Sequence, residues 1–125
     1  MLNVPEKPNM AMANGKRLCE ELLEPLQATF GGIAIRSAYR SPKVNAFANE
    51  KGYKCGLNVS NYAAHIWDYP DKDGLHGAMA CIVIPDFADK CEVYGDWRAL
   101  AYWIQNHLNY REMQFFPRLC AFNIG

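Results

Sequence analysis

Two groups of side chains in this sequence have the types and spacing for chemistry. Between Glu50 and Gly77 stand His65, Trp67, Asp68, Asp71, Asp73 and His76, more potential ligands and acids than any comparable window holds. Asp68 follows His65 closely enough for imidazole and carboxylate to reach one ion if the segment turns. A zinc ion held by three protein ligands keeps one position open for water, whose proton is then lost near neutral pH, and a nearby carboxylate can act as base. The second group centres on Arg40, whose planar guanidinium presents five donors and suits a carboxylate. Each residue taken singly also has a plainer role. Arg40 and Arg36 can be surface charges or structural hydrogen bonders, His65 a hydrogen-bonded loop histidine, and His76 a solvated one. Asp71 and Asp73 read as a polar loop, and His107 as a helix residue facing a neighbour in the fold.

The elements that must position these groups follow from periodicity. Ile33 and Ile35 share one face of an extended segment and Ala34 and Arg36 the other, which predicts a buried strand that hands over to a helix. Ser41 is placed to cap the next helix and Pro42 to occupy its first position. That helix is expected over Pro42 to about Asn49, burying Val44 and Phe47. Upstream, Leu18, Leu22 and Leu26 recur at helical spacing between about Asn14 and Thr29, with Pro25 predicted to kink or shorten the helix and Gly31-Gly32 to end it. From Glu50 to Gly77 periodicity disappears, and a connection of that length implies a functional loop. Ala78 to Pro85 is a continuous apolar run, expected as a central strand buried on both faces. Asp96 is expected to cap an amphipathic helix through Leu108, with Leu100, Trp103, Ile104 and His107 along one side. Strands Met113–Phe116 and Leu119–Ile124 follow, separated by Pro117-Arg118. Helices early and strands late, without regular alternation, predict one α+β domain over residues 1–125 with a mainly antiparallel sheet.

Composition narrows the function classes. The chain has 125 residues and a formal net charge of zero, with no basic stripe of the kind a nucleic-acid surface needs. No window reaches the length of a membrane span, and the N-terminus lacks the charged and apolar regions of a secretion signal, so synthesis in the cytoplasm is expected. The five cysteines include no CxxC pair, which favours free thiols in a reducing compartment. There is no GxSxG elbow, HExxH, P-loop or dinucleotide fingerprint.

The segment Ser37-Ala38-Tyr39-Arg40-Ser41-Pro42-Lys43-Val44-Asn45 resembles the "SxYRSPxxN" signature of the M15-type zinc D-alanyl-D-alanine carboxypeptidases, which cut peptidoglycan stem peptides. The lead-in is similar too, with Asn3, Pro5 and Pro8 before the helix and Phe30-Gly31-Gly32 before the strand. Beyond Asn45 the likeness is uneven. In that family "SxHxxGxAxD" supplies a His and an Asp to zinc, and a later strand supplies a second His. Here Ala63-Ala64-His65 stands at "SxH", and Gly77 to Ile82 stands at "GxAxDI" after an insertion, with Cys81 at the Asp position. Phe122-Asn123-Ile124-Gly125 resembles the last strand, with Asn123 where the His belongs.

The resemblance implies a D,D-peptidase or hedgehog-like fold and a hydrolase that cuts an amide bond by zinc-activated water. It implies His65 as retained ligand, Asp68 or Cys81 as second, and Arg40 as the residue that orients substrate or stabilises the oxyanion. Ser37, Tyr39 and Trp67 would contact a peptide or peptidoglycan fragment. Three explanations of the departures stand open. The metal site is rebuilt from His65 with Asp68, His76 or Cys81; or the fold persists as a non-catalytic peptide or cell-wall binding module; or the chain is cut short at Gly125 and a continuation carries the missing ligand.

Overall fold

The computed structural model describes residues 2–53, 55–94 and 97–125, and for 90–94 the backbone alone. In chain order, helix α1 spans Pro8–Leu18, a π-helical turn Cys19–Leu23 and α2 Glu24–Phe30. Strand β1 is Ala34–Ser37, α3 Pro42–Glu50, α4 Asn58–Asn61 and β2 Ala80–Val83. Then come α5 Pro85–Tyr94, α6 Arg98–His107, β3 Met113–Phe116, a 3₁₀ turn Pro117–Leu119 and β4 Ala121–Ile124. The class is α+β, with one antiparallel sheet ordered β1-β2-β4-β3. No helix among the described residues is long and apolar enough to cross a membrane.

Contacts divide the chain into two compact units, each drawn from two segments. Unit 1 is Met1–Arg17 with Ala38–Met79, and unit 2 is Leu18–Ser37 with Ala80–Gly125.

Unit 2 holds the sheet and an apolar interior. Leu22, Leu26, Ile82, Ile84, Leu100, Ile104, Phe122 and Ile124 are buried there. Leu18, Leu22 and Leu26 all lie inside, as their spacing predicts. Pro25 disturbs its helix in the expected way: it has no N–H for the carbonyl one turn back, and the chain widens into the π turn just before it, where the Glu24 N–H bonds to the Cys19 carbonyl. The helix ends at Gly31, whose φ of 100° is left-handed and whose added Cβ would come 2.6 Å from Asp86 Oδ2. β2 is the buried central strand expected from Ala78 to Pro85, although its ladder covers only Ala80–Val83. Helix α5 was not foreseen; Pro85 at its start, a first-turn position that needs no donor, was the available signal. Aromatic packing closes the unit, with Phe30 edge-on to Trp103 at 5.0 Å and Phe115 stacked on Phe122 at 4.7 Å. His107 stacks on Trp103 at 4.5 Å, so it faces a neighbour in its own helix. The expected Asp96 cap lies outside the described residues.

Two expectations need correction. β1 is not a buried strand: among the described residues it is an edge, paired with β2 alone, and Ile35 is 61% exposed. Alternation marks a strand but does not tell whether a neighbour covers its face. In unit 1, α3 starts as predicted, with Ser41 Oγ accepting from the Val44 N–H at 3.1 Å, but the buried face carries Pro42 and Asn45 while Phe47 is exposed.

The stretch from Glu50 to Gly77 is compact. It contains α4, a bridge between Tyr62 and Ile66, and successive turns closed by backbone bonds such as Ala63 N–H to the Tyr69 carbonyl at 2.9 Å. Ala63 takes a left-handed φ of 59° there. The missing periodicity reflects tight turns stabilised by asparagine and aspartate side chains.

Candidate functional site

Unit 1 brings together Tyr39, Arg40, His65, Trp67 and Asp68. Asp68 is fully buried. Its Oδ2 accepts from the backbone N–H groups of Glu6 at 2.8 Å and Lys7 at 3.1 Å, and its Oδ1 accepts from the Tyr39 hydroxyl at 3.0 Å. Those amides lie just ahead of α1, so the carboxylate holds the chain where it enters that helix. Burial, and then the bond to Asp68, push the Tyr39 phenol well above its usual range.

The motif residues around Asp68 are tied mainly to one another. Asn3 spans Arg40: its Nδ2 donates to the Tyr39 carbonyl at 2.8 Å and its Oδ1 accepts from the Ser41 N–H at 2.7 Å. The Arg40 N–H bonds to the His65 carbonyl at 2.7 Å, and its guanidinium donates to Asn45 Oδ1 at 2.7 Å. Asn45, fully buried, donates onward to the Gly56 carbonyl and to Asn58 Oδ1, while Asn58 donates to the Pro42 carbonyl. The "SPxxN" portion is thus a hydrogen-bonded frame in which α3, Gly56, Asn58 and Arg40 hold each other.

His65 is buried, with Nδ1 at 3.2 Å from the Ala38 carbonyl. Trp67 is half-buried; its Nε1 donates to the Met79 carbonyl at 3.1 Å, and its own carbonyl accepts from Asn14 Nδ2 at 2.7 Å. A Cβ at Gly15 would come 2.7 Å from the Trp67 ring, so α1 packs directly on it. Tyr69 is half-exposed; its hydroxyl donates to Glu6 Oε2 and its ring stacks on Tyr62 at 4.9 Å, with Lys7 Nζ 4.3 Å from the ring centre. Asp71 closes its own turn, accepting from the N–H groups of Asp73 and Leu75. His76 is exposed.

Cys81 and Ser37 belong to unit 2. The sheet register sets Ser37 opposite Cys81, Cys81 opposite Asn123 and Asn123 opposite Gln114. Cross-strand partners share a face, so the residues at the family's Asp and second His positions, Cys81 and Asn123, stand side by side in one polar row. Burial pushes the Cys81 thiol up, with Arg36 acting the other way, which favours the protonated thiol over a metal-binding thiolate.

These donors do not fit the zinc site that the resemblance implies. Among the described residues no three His, Cys, Asp or Glu side chains are grouped to hold a metal ion. The expected set of His65, Asp68 and Cys81 fails first at Asp68, whose oxygens take three internal donors. Sequence reasoning missed Asn3, Asn45 and Asn58. Asn45 was present in the motif, and an asparagine on the same helix face as Pro42 was the signal that this face is polar and paired. Comparison with protein-family models, curated proteins and solved structures gives no match.

Proposed function

We propose that this chain is a non-catalytic binding module for a peptide or cell-wall fragment, in which residues resembling a peptidase signature serve the fold. The observation that carries this reading is Asp68, fully buried with three donors on its two oxygens. A carboxylate has about four acceptor sites, so little is left for an ion. Arg40 supports the same reading, since its guanidinium already donates to Asn45. Recognition falls to the Tyr62–Tyr69 face of unit 1. Stacked, half-exposed rings beside Lys7 and Glu6 offer apolar surface and polar edges to a sugar or short peptide.

The test is co-sedimentation with purified peptidoglycan, with and without chelator, alongside incubation with stem peptides. Binding that survives chelation, weakens in Tyr62→Ala and Tyr69→Ala and yields no cleavage product is expected. A second reading, zinc-dependent amide hydrolysis, has one observation in its favour: a backbone carbonyl against His65 Nδ1 is the kind of anchor that orients a ligand histidine. Chelator-sensitive release of D-alanine, abolished in His65→Ala, would establish that reading instead. Neither binding nor cleavage would sink both.

A further inference from the structure

We infer that β1 is a self-association edge through which two copies of this chain pair antiparallel along Ile33-Ala34-Ile35, with Ala34 at the two-fold axis. The argument lies wholly within unit 2 and does not depend on the proposed binding function. Among the described residues β1 has β2 as its only neighbour in the sheet, so its outer row of backbone N–H and C=O groups faces away from the sheet. Such a row selects an extended backbone as its partner. All four residues of the strand are exposed, Ile35 among them at 61%. Beside the strand lies a shallow, mainly apolar groove of about 210 Å³ lined by Cys19, Leu23, Glu24, Gln27, Ile33 and Ile35.

A second copy fits this edge better than an arbitrary strand. Centring the pair on Ala34 sets Ile33 opposite Ile35 of the other copy twice over, and opposed residues share a sheet face. The four isoleucines then meet on the side that carries the groove, while the small Ala34 side chains meet on the other side. The next residue brings the pairing to an end. The ladder is interrupted between Ile35 and Ser37, which leaves Arg36 as an extra residue there. In this register Arg36 falls opposite Gly32 of the other copy, where an added Cβ would meet nothing within 4 Å. A bulge and a charge ordinarily protect an edge; here they lie past the isoleucines and limit the contact to one register. Identical strands paired antiparallel also close on themselves, so the association stops at a dimer and consumes both edges.

The experiment is sedimentation velocity on the full chain from dilute solution to its solubility limit. The expected result is a concentration-dependent dimer that is abolished in Ile35→Lys, with an unchanged circular dichroism spectrum because that side chain is exposed. A second variant reads the register. Residues facing one another across an antiparallel pair have Cα atoms about 4.5–5.5 Å apart, within the span of a disulfide. Ala34→Cys in a Cys19→Ser background should therefore give a covalent dimer under mild oxidation, whereas Val59→Cys in the same background should not. A monomer at every concentration overturns the inference. So does a dimer that survives Ile35→Lys or forms no link through position 34.

Discussion

The two compact units fill their interiors by different chemistry. Among the described residues the large side chains buried in unit 2 are all apolar, and all but Ile84, which follows β2 directly, come from regular elements: the end of α1, the π turn, α2, β2, α6 and β4. Among the described residues unit 1 has two large buried apolar side chains, Ile66 and Met79, alongside Ser41, Asn45 and Asp68. Every buried polar side chain among the described residues, Asn14, Ser41, Asn45, Asn61, His65 and Asp68, belongs to unit 1. No buried side-chain nitrogen or oxygen among the described residues lacks a partner. An apolar interior tolerates changes that keep shape and volume, whereas a polar one fails when a single partner is removed, because the groups left behind remain buried and unsatisfied.

The strongest attempt to break this contrast is Asp68→Ala. It strands the Glu6 and Lys7 amides and the Tyr39 hydroxyl together, and a loss of about 3–5 kcal/mol is expected in urea unfolding. A loss below about 1 kcal/mol would mean that the network does not hold unit 1. Next comes a matched pair. Asn45→Leu keeps the volume but removes the bonds that Asn45 makes to the Arg40 guanidinium, the Gly56 carbonyl and Asn58 Oδ1, and should cost about 2–4 kcal/mol. Ile82→Val, in the fully buried middle of the sheet, should cost only about 0.5–1.5 kcal/mol. Equal losses would erase the distinction between the units. Ser41→Ala should cost about 1 kcal/mol through the lost cap, with Ser41→Asp largely restoring it.

The smallest effects are chemical. Under native conditions an aromatic disulfide reagent should modify exposed Cys19 well before Cys81, which is buried and whose thiol pKa is raised. The hydrogen bond to Glu6, with desolvation, carries the Tyr69 phenol from 10.0 up to about 12. Because the folded value lies above the unfolded one, the stabilisation from that bond is whole below pH 10 and is lost as the pH rises through about 12. Absorbance titration should therefore show one fewer late-ionising phenol in Tyr69→Phe, with the Tyr39 phenol still ionising late.

Unit 2 was largely legible in the sequence, since apolar spacing carries the information there. Leu18, Leu22 and Leu26 marked the helix, Pro25 its disturbance, and the apolar run from Ala78 to Pro85 the central strand. The edge position of β1 was not legible: two isoleucines in alternation read the same whether a neighbour covers them or not. In unit 1 the helix start at Ser41-Pro42 was plain, but Asn45 was overlooked because burial was assigned by hydrophobicity alone. The region around His65 gathered the expected residues, Arg40, Tyr39, Trp67 and Asp68, yet tied them through groups that no spacing rule reveals. Asn3 and Glu6 reach them from the far end of the chain.

By itself the sequence determined several local outcomes: where α3 starts, where the helix before β1 is disturbed and ends, which segments extend, and that sheet and helices combine in an α+β class. Those choices depend on propensity, capping and periodicity, which act over a few residues. Only the tertiary structure decided what the polar residues do. Asp68 could be a metal ligand or the buried acceptor that holds the chain entering α1, and Cys81 a thiolate or a buried thiol; the sequence is identical in either case. The decision rests on which donors, acceptors and apolar groups the fold brings within bonding distance, since a carboxylate or thiol takes its chemistry from its surroundings.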